Sequence, residues 1–237
     1  MAFKRVDGRK FNELRPITAK VGVIPNADGS AIFAFGDTIA IAAVYGPRQL
    51  HPQHMQDPKK AYLRVNYDLL SFSVSDRKRP GPNRRAQEIS KATEWALSPV
   101  IDLSLFPGNV IDVQIYILQA DAGTRTAGIN AASMALAHAG IPMRDLICSV
   151  AAGKQDKELI LDLSKEEEDF EEGEGATDFA MAKVANSDEF TLLQLDGKIP
   201  PERVKEVLSL VADSAKEIYE AQKKALKEVV THGNGSN

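Results

Sequence analysis

The pattern of apolar and polar residues divides the first hundred residues into short strands and loops. Turn-forming Asn, Asp and Gly residues at 26–29 and 36–37 separate apolar runs, and such turns are typical of antiparallel hairpins. Pro47–Lys60 holds three prolines and no apolar period, so we expect a loop there. The strands predicted from the apolar runs are Val21–Ile24, Ala31–Phe35, Thr38–Tyr45 and Tyr62–Phe72.

Three later segments have the apolar period of a helix. One covers residues 86–104 with a break near Pro99, and the last begins at Pro200-Pro201 and runs to the C-terminal tail. Thr124–Ala139 is rich in small residues and is followed by Gly140 and Pro142, which stop helices. The remaining predicted strands are Val110–Leu118, Leu146–Ala152, Leu159–Leu163, Phe179–Ala185 and Phe190–Leu195.

The order of these elements predicts a single α+β domain over residues 1–230, with helices covering a sheet and a disordered tail at 231–237. A single domain is favoured because no Pro/Gly/Ser-rich linker divides the chain. A hydrophobic content of 43% is enough for a core. No apolar run approaches the ~18–20 residues of a membrane span, and no signal peptide is recognisable. We therefore expect a cytoplasmic protein without a membrane segment.

The net charge of −4 argues against a nucleic-acid partner until its distribution is considered. Five basic residues lie within Arg77–Arg85, whereas seven acidic residues lie within Glu166–Glu174. A polyanion responds to the local field of a cleft more than to the sum over the chain. RNA therefore stays a candidate partner, although each charged run is also typical of a solvated surface.

The segment Gln119–Gly128 is the most informative about chemistry. A strand ends there and a helix begins at Gly123-Thr124-Arg125. Free N–H groups and the positive end of the helix dipole make such a start an anion site. Gly123 permits close approach, Thr124 adds a hydroxyl, and Arg125 adds a guanidinium that can bind phosphate with two hydrogen bonds. A packed helix whose arginine faces water is the alternative interpretation.

Several segments together resemble the RNase PH family, over a range from about Arg5 to about Leu226. The resemblance is carried by Arg5–Arg9, Glu13–Ile17, Asn26–Ala31, Ala43–Arg48, Arg77–Pro82 and Gly140–Leu146. The last four are closest to the catalytic RNase PH-like subunit of the archaeal exosome. The resemblance implies a ribosomal-protein-S5-domain-2-like α+β fold. It also implies phosphate-dependent 3′→5′ degradation of single-stranded RNA to nucleoside diphosphates, and the reverse tailing reaction.

The resemblance further implies partners, co-substrates and site residues. The partners are an inactive RNase PH-like paralogue in a hexameric ring and S1-domain cap proteins, with inorganic phosphate as co-substrate. Phosphoryl transfer to phosphate also needs charge neutralisation, often by Mg²⁺ held by one or two carboxylates, so we expect Mg²⁺ as cofactor. The implied site residues are Arg85, Gly123, Thr124 and Arg125 for phosphate, Asp169 and Asp178 for catalysis and metal, and Arg64 and Arg84 for RNA.

Three alternatives remain open from the sequence. Asp169 and Asp178 are farther apart than is usual in the family, so Glu168 or Glu172 could be the general acid instead. A non-catalytic ring subunit that guides RNA is a second function to consider. A homo-hexameric RNase PH that trims tRNA 3′ ends is a third.

Overall fold

The computed structural model describes residues 5–75, 78–81, 83–170, 173 and 175–233, with side chains described as far as residue 228. Its strands are β1 (Ile17–Val21), β2 (Gly29–Phe35), β3 (Thr38–Gln49), β4 (Tyr62–Leu69), β5 (Asn109–Gln119), β6 (Ile147–Gln155), β7 (Glu158–Leu161), β8 (Ala176–Val184) and β9 (Phe190–Asp196). Its α-helices are α1 (Arg84–Leu97), α2 (Thr124–His138), α3 (Lys165–Glu168) and α4 (Pro201–Gly233). The predicted mixture of sheets and covering helices is confirmed.

The strands form two sheets. The first has the order β1-β2-β3-β5-β4 and is antiparallel except for the parallel pair β4–β5. The second has the order β7-β6-β8-β9 and is antiparallel throughout. The predicted hairpins are confirmed at β1–β2 and β2–β3. The parallel pair needs a crossover connection, and α1 lies in it.

Helix α2 lies between the two sheets and packs against strands of both. Its residues 126–136 are all buried, because a helix without a polar face is stable only when it is covered on every side. Its many alanines allow strands to approach the helix backbone closely. One cluster of buried apolar residues therefore joins both sheets, with α4 packed on β6 and β1 and with α1 packed on β4. This packing brings the N-terminal end of α2 to a junction between the sheets.

Several strand boundaries differ from the sequence prediction. Strand β1 ends at Val21, where the prediction began, because Gly22 adopts a φ of +71° that breaks the extended backbone. Strand β3 continues through Pro47, which was predicted to begin a loop. A register shift between Tyr45 and Arg48 places the proline at a bulge, where its missing N–H does not interrupt the ladder.

The helix boundaries also differ. The helix predicted over 86–104 ends at Leu97, and 3₁₀ turns at Ser98–Val100 and Leu103–Leu105 follow, because Pro99 lacks the N–H that an α-helix needs. Helix α4 continues to Gly233, into the segment predicted to be a disordered tail, and residues 234–237 lie outside the described residues. Over the described chain, no helix is both long enough and apolar enough to span a membrane.

Candidate active site

A cavity of about 370 Å³ is lined by residues from both sheets. The turn from β5 into α2 contributes one wall, and the first turn of α1 and the loop after β4 lie beside it. Helix α3 and strand β8 contribute further lining residues. The cavity therefore joins two segments that the sequence analysis singled out separately, the basic start of α1 and the small-residue start of α2.

The start of α2 has the geometry of an anion site. Ala122 and Gly123 both adopt left-handed backbone conformations, with φ of 53° and 62°, and they turn the chain sharply from β5 into the helix. Gly123 is the N-cap and makes no side-chain cap to the first turn in the described structure. Because the first N–H groups of a helix have no partner within it, this turn presents donors and the positive helix end to the cavity. Thr124 lines the cavity beside them and is buried.

Two arginines add positive charge to this wall. Arg125 is largely buried, with 17% of its side chain exposed, and its Nη2 lies 3.7 Å from Oε2 of Glu88. Its Nε is buried with no hydrogen-bond partner among the described residues, so a bound anion could satisfy it. Arg85 is exposed at the second position of α1, where its N–H donates to Oδ1 of the N-cap Asn83 at 2.9 Å. The helix start thus directs Arg85 toward the cavity, which it lines.

Asp178 is the acid that lines the cavity from β8. It pairs with Gly153 of β6, and an added Cβ at Gly153 would lie 1.8 Å from the carbonyl oxygen of Thr177, so only glycine permits this close approach. Burial, together with the charges of Glu168 and Asp196, raises the pKa of Asp178 from 3.8 to about 6, although Arg125 and Arg85 act in the opposite direction. A carboxyl with this pKa retains a proton near neutral pH more often than an ordinary aspartate does.

The acidic run after β7 begins with a short helix rather than a loop. Ser164 and Glu167 form a capping box around α3, and Lys165 and Glu168 of this helix line the cavity. Asp169 follows at the C-cap, where its exposed carboxylate pairs with Nζ of Lys165 at 2.5 Å. Asp169 is not among the lining residues, so in the described structure Glu168 is the acid of this run that shares the cavity with Asp178.

The remaining predicted site residues lie elsewhere or outside the description. Arg64 on β4 donates to the buried carboxylate of Asp112, with its Nη2 2.9 Å from Oδ2, and its side chain is half exposed. Burial would raise the pKa of Asp112, but hydrogen bonds from Arg64 and Arg48 lower it. Arg84 is exposed at the start of α1 and does not line the cavity. Glu172 lies outside the described residues.

Lys165 and Gly153 had no role predicted from the sequence, and Glu168 was predicted only as an alternative general acid. Lys165 and Glu168 could have been placed on a helix from the pattern Ser164-x-x-Glu167, which is that of a capping box. Gly153 has no local signal of its function, since only the pairing of β6 with β8 makes it necessary. Within the described residues, no group of three or more His, Cys, Asp or Glu side chains is arranged to hold a metal ion.

Known families and proteins match this chain along most of its length. Models of the RNase PH 3′ exoribonuclease family match residues 13–142 as domain 1 and residues 145–213 as domain 2. The exosome complex component Rrp41 of Thermococcus kodakarensis is 52% identical over 225 residues, which are 95% of this chain and 89% of the relative. Rrp41 of Archaeoglobus fulgidus is 48% identical over 223 residues, 94% of this chain and 86% of the relative.

Solved structures share the fold. Rice Rrp46 superimposes with a TM-score of 0.81 at 25% identity, covering 94% of this chain and all of the rice chain. The Archaeoglobus fulgidus exosome with RNA bound to its active site contains a chain that matches with a TM-score of 0.79 at 24% identity, covering 92% of each chain. At that identity the second match concerns the fold alone. The predicted RNase PH-like fold is confirmed.

Proposed function

We propose that this chain, which belongs to the RNase PH family of 3′ exoribonucleases, is the phosphorolytic subunit of an exosome and shortens single-stranded RNA from its 3′ end. The observation that carries the proposal is one cavity that is lined both by an anion site and by a carboxyl with a raised pKa. Phosphorolysis needs both parts, a place for the attacking phosphate and a proton for the departing 3′-oxygen.

Phosphate binds, in this mechanism, against the start of α2. The N–H groups after Gly123 and the hydroxyl of Thr124 donate to its oxygens, while Arg125 and Arg85 neutralise its charge. Positioned donors in a partly enclosed site lower the barrier mainly by holding the reactants in line and stabilising charge. The unpartnered Nε of Arg125 supports this placement.

Asp178 supplies the proton. A phosphate oxygen attacks the phosphorus of the last RNA phosphodiester, and the bond from phosphorus to the 3′-oxygen of the shortened RNA breaks. That oxygen takes the proton of Asp178, and the released nucleotide leaves as a nucleoside 5′-diphosphate. The reverse reaction adds nucleotides and returns the proton to the carboxylate. We therefore assign to Asp178 the proton-donating role that the resemblance placed near Asp169, with Glu168 as its neighbour in the cavity.

The expected magnesium pair does not fit the described geometry. Asp169 is exposed and bound to Lys165, so it does not share the cavity with Asp178. Mg²⁺ commonly binds substrate phosphates together with only one or two carboxylates. Mg²⁺ would offset the charge of phosphate and RNA when it is bound. Loss of turnover in EDTA, restored by Mg²⁺, is the result we expect.

We also propose how RNA reaches the cavity and how the chain is assembled. RNA reaches the cavity along the basic residues at the start of α1, including Arg84, and along the surface around Arg64 on β4. The chain works in the cytoplasm in a hexameric ring with an inactive paralogue, capped by S1-domain proteins. The names of the Rrp41 relatives, exosome complex components, support the membership of an exosome. A stable hexamer of this chain without a partner, measured by light scattering, would favour the homo-hexameric RNase PH instead.

Product analysis tests the reaction. The chain, with the partners that co-purify with it, is incubated with single-stranded RNA with and without inorganic phosphate. We expect nucleoside diphosphates that depend on phosphate. Monophosphates, or products independent of phosphate, would indicate hydrolysis and contradict the proposal. RNA binding by the complete complex without turnover would support the non-catalytic ring subunit.

A further inference from the structure

Helix α3 carries Glu168 into the cavity but is too short to hold its own position. It spans four residues, Lys165–Glu168, and isolated helices shorter than ~12–15 residues are marginal in water. Tertiary contacts must therefore set its orientation. The main chain of Lys165 provides one, because its N–H donates to Oδ1 of Asp121 in the turn before α2 at 3.1 Å.

The strongest anchor of α3 is an ion pair that is completely shielded from solvent. Nε of Arg5 donates to Oε1 of Glu167, and Nη2 of Arg5 donates to Oε2, both at 2.8 Å. Two parallel hydrogen bonds fix the direction of the carboxylate as well as its distance. The same carboxylate accepts the N–H of Ser164 at 2.9 Å and completes the capping box of α3. One side chain thus ties the start of the chain to the first turn of the helix.

Arg5 is itself held on both sides. Its Nη1 and Nη2 donate to the carbonyl oxygens of Leu161 and Asp162, at 3.0 and 2.9 Å, immediately before α3. Its Nη1 also donates to the carbonyl oxygen of Lys10 at 3.1 Å. A buried guanidinium with this many acceptors has little freedom to move. Both side chains of the pair are buried away from the cavity lining, so neither contacts phosphate or RNA there.

We infer that Arg5 and Glu167 are positioning residues of the active site, whose buried pair holds α3 so that Glu168 lines the cavity beside Asp178. The inference rests on the proposed function, because Glu168 affects turnover only through its place and charge beside the proton donor Asp178. Glu167 and Glu168 are adjacent in the acidic run, but their side chains point in different directions and have different roles. Glu167 turns inward to anchor the helix, which leaves Glu168 facing the cavity.

Three variants test this positioning in the full chain with its co-purifying partners. Arg5→Lys keeps the charge but loses the two-bond geometry. Glu167→Gln keeps a capping-box residue and loses the ion pair. Arg9→Lys is the matched control. Like Arg5, Arg9 donates to the carbonyl oxygen of Asp162, at 3.1 Å. Its other described side-chain hydrogen bonds go to Asp7, Glu13 and the carboxylate of Asp162.

Steady-state kinetics separates positioning from stability. We expect Arg5→Lys and Glu167→Gln to lower kcat by about 10- to 100-fold, as loss of a supporting residue commonly does. The KM for phosphate should change by less than about threefold, since the anion site on α2 is intact. Arg9→Lys should keep kcat. In a Glu168→Gln background, Arg5→Lys should cost no further kcat, because the group being positioned is already absent.

A spin label provides a readout that does not need turnover. Cys148 is the single cysteine and is buried, so a label on Glu166→Cys reports on exposed α3 alone. We expect Arg5→Lys and Glu167→Gln, but not Arg9→Lys, to increase the mobility of the label. Unchanged label mobility in both variants, or losses of kcat that simply multiply in the Glu168→Gln background, would overturn the inference. An inactive unmodified complex would refute the proposed function, while the label would still decide whether the pair positions α3.

Discussion

Replacing Asp178 by Asn tests whether burial of the charged Asp178 carboxylate lowers the free energy of unfolding. Burial, with the charges of Glu168 and Asp196, raises the pKa of Asp178 from 3.8 to about 6 in the folded chain. In the unfolded chain the same carboxyl titrates near its ordinary value of ~3.9. The folded state therefore binds this proton more tightly than the unfolded state does.

The sign and size of the effect follow from this difference. The stability contributed by the protonated carboxyl is complete below pH ~4 and is lost as the pH rises through about 6. A difference of about two between the pKa of the folded chain and that of the unfolded chain corresponds to ~3 kcal/mol. Because Asp178 is only half-buried, solvent screening reduces this figure, and we expect ~1–3 kcal/mol. Asparagine carries no charge, so Asp178→Asn should be more stable than the unmodified chain by that amount at pH 7.5, with little difference at pH 4.

Urea unfolding at pH 4 and pH 7.5 measures the effect. The buffers contain EDTA and no phosphate, and the protein concentration is held constant, because a bound ion or partner would change the apparent stability. Asp169→Asn is the control, since Asp169 is exposed and its pair with Lys165 is a surface ion pair of small energy. An Asp178→Asn chain that is less stable at pH 7.5, or that differs equally at both pH values, would refute the reasoning. The same variant should lose phosphorolysis.

Four further predictions concern the walls of the cavity and its approach. Arg125→Lys should raise the KM for phosphate by about tenfold or more, measured by phosphorolysis, because lysine cannot form the paired hydrogen bonds of a guanidinium. Gly123→Ala should lower the free energy of unfolding by ~1–2 kcal/mol, measured in urea, because its φ of 62° is left-handed. Glu168→Gln should reduce kcat more than Asp169→Asn does, and the reverse order would restore the role first expected for Asp169. Arg64→Ala should weaken RNA binding in a filter assay and leave the KM for phosphate unchanged.

Much of the fold could be predicted from the sequence because it depends on local pattern. Strands β2 and β5 and helix α2 agree with the apolar runs and with the Gly, Asn and Pro residues that bound them. These signals act over a few residues and need no knowledge of the neighbours. The parallel pairing of β4 with β5 could not be predicted in this way, because it depends on which strand edges meet across the chain.

The candidate site likewise has one part that local sequence predicts and one part that depends on tertiary structure. The start of α2 at Gly123-Thr124-Arg125 could be predicted by itself as an anion site, because a glycine turn and an uncapped helix start carry their chemistry locally. The raised pKa of Asp178 could not, because it results from burial and from charges on other elements.

By itself, the sequence determined the residue types available in the acidic run, and only the tertiary structure decided which of them is used. Glu168 faces the cavity and Asp169 faces Lys165, although they are adjacent in the chain. Which of the two acids lines the cavity is decided by how the short helix α3 is rotated about its axis. It depends on a hydrogen bond from Arg5 to Glu167, a residue 162 positions away. No local pattern contains such a contact, because burial of the two charges becomes favourable only when the fold brings them together.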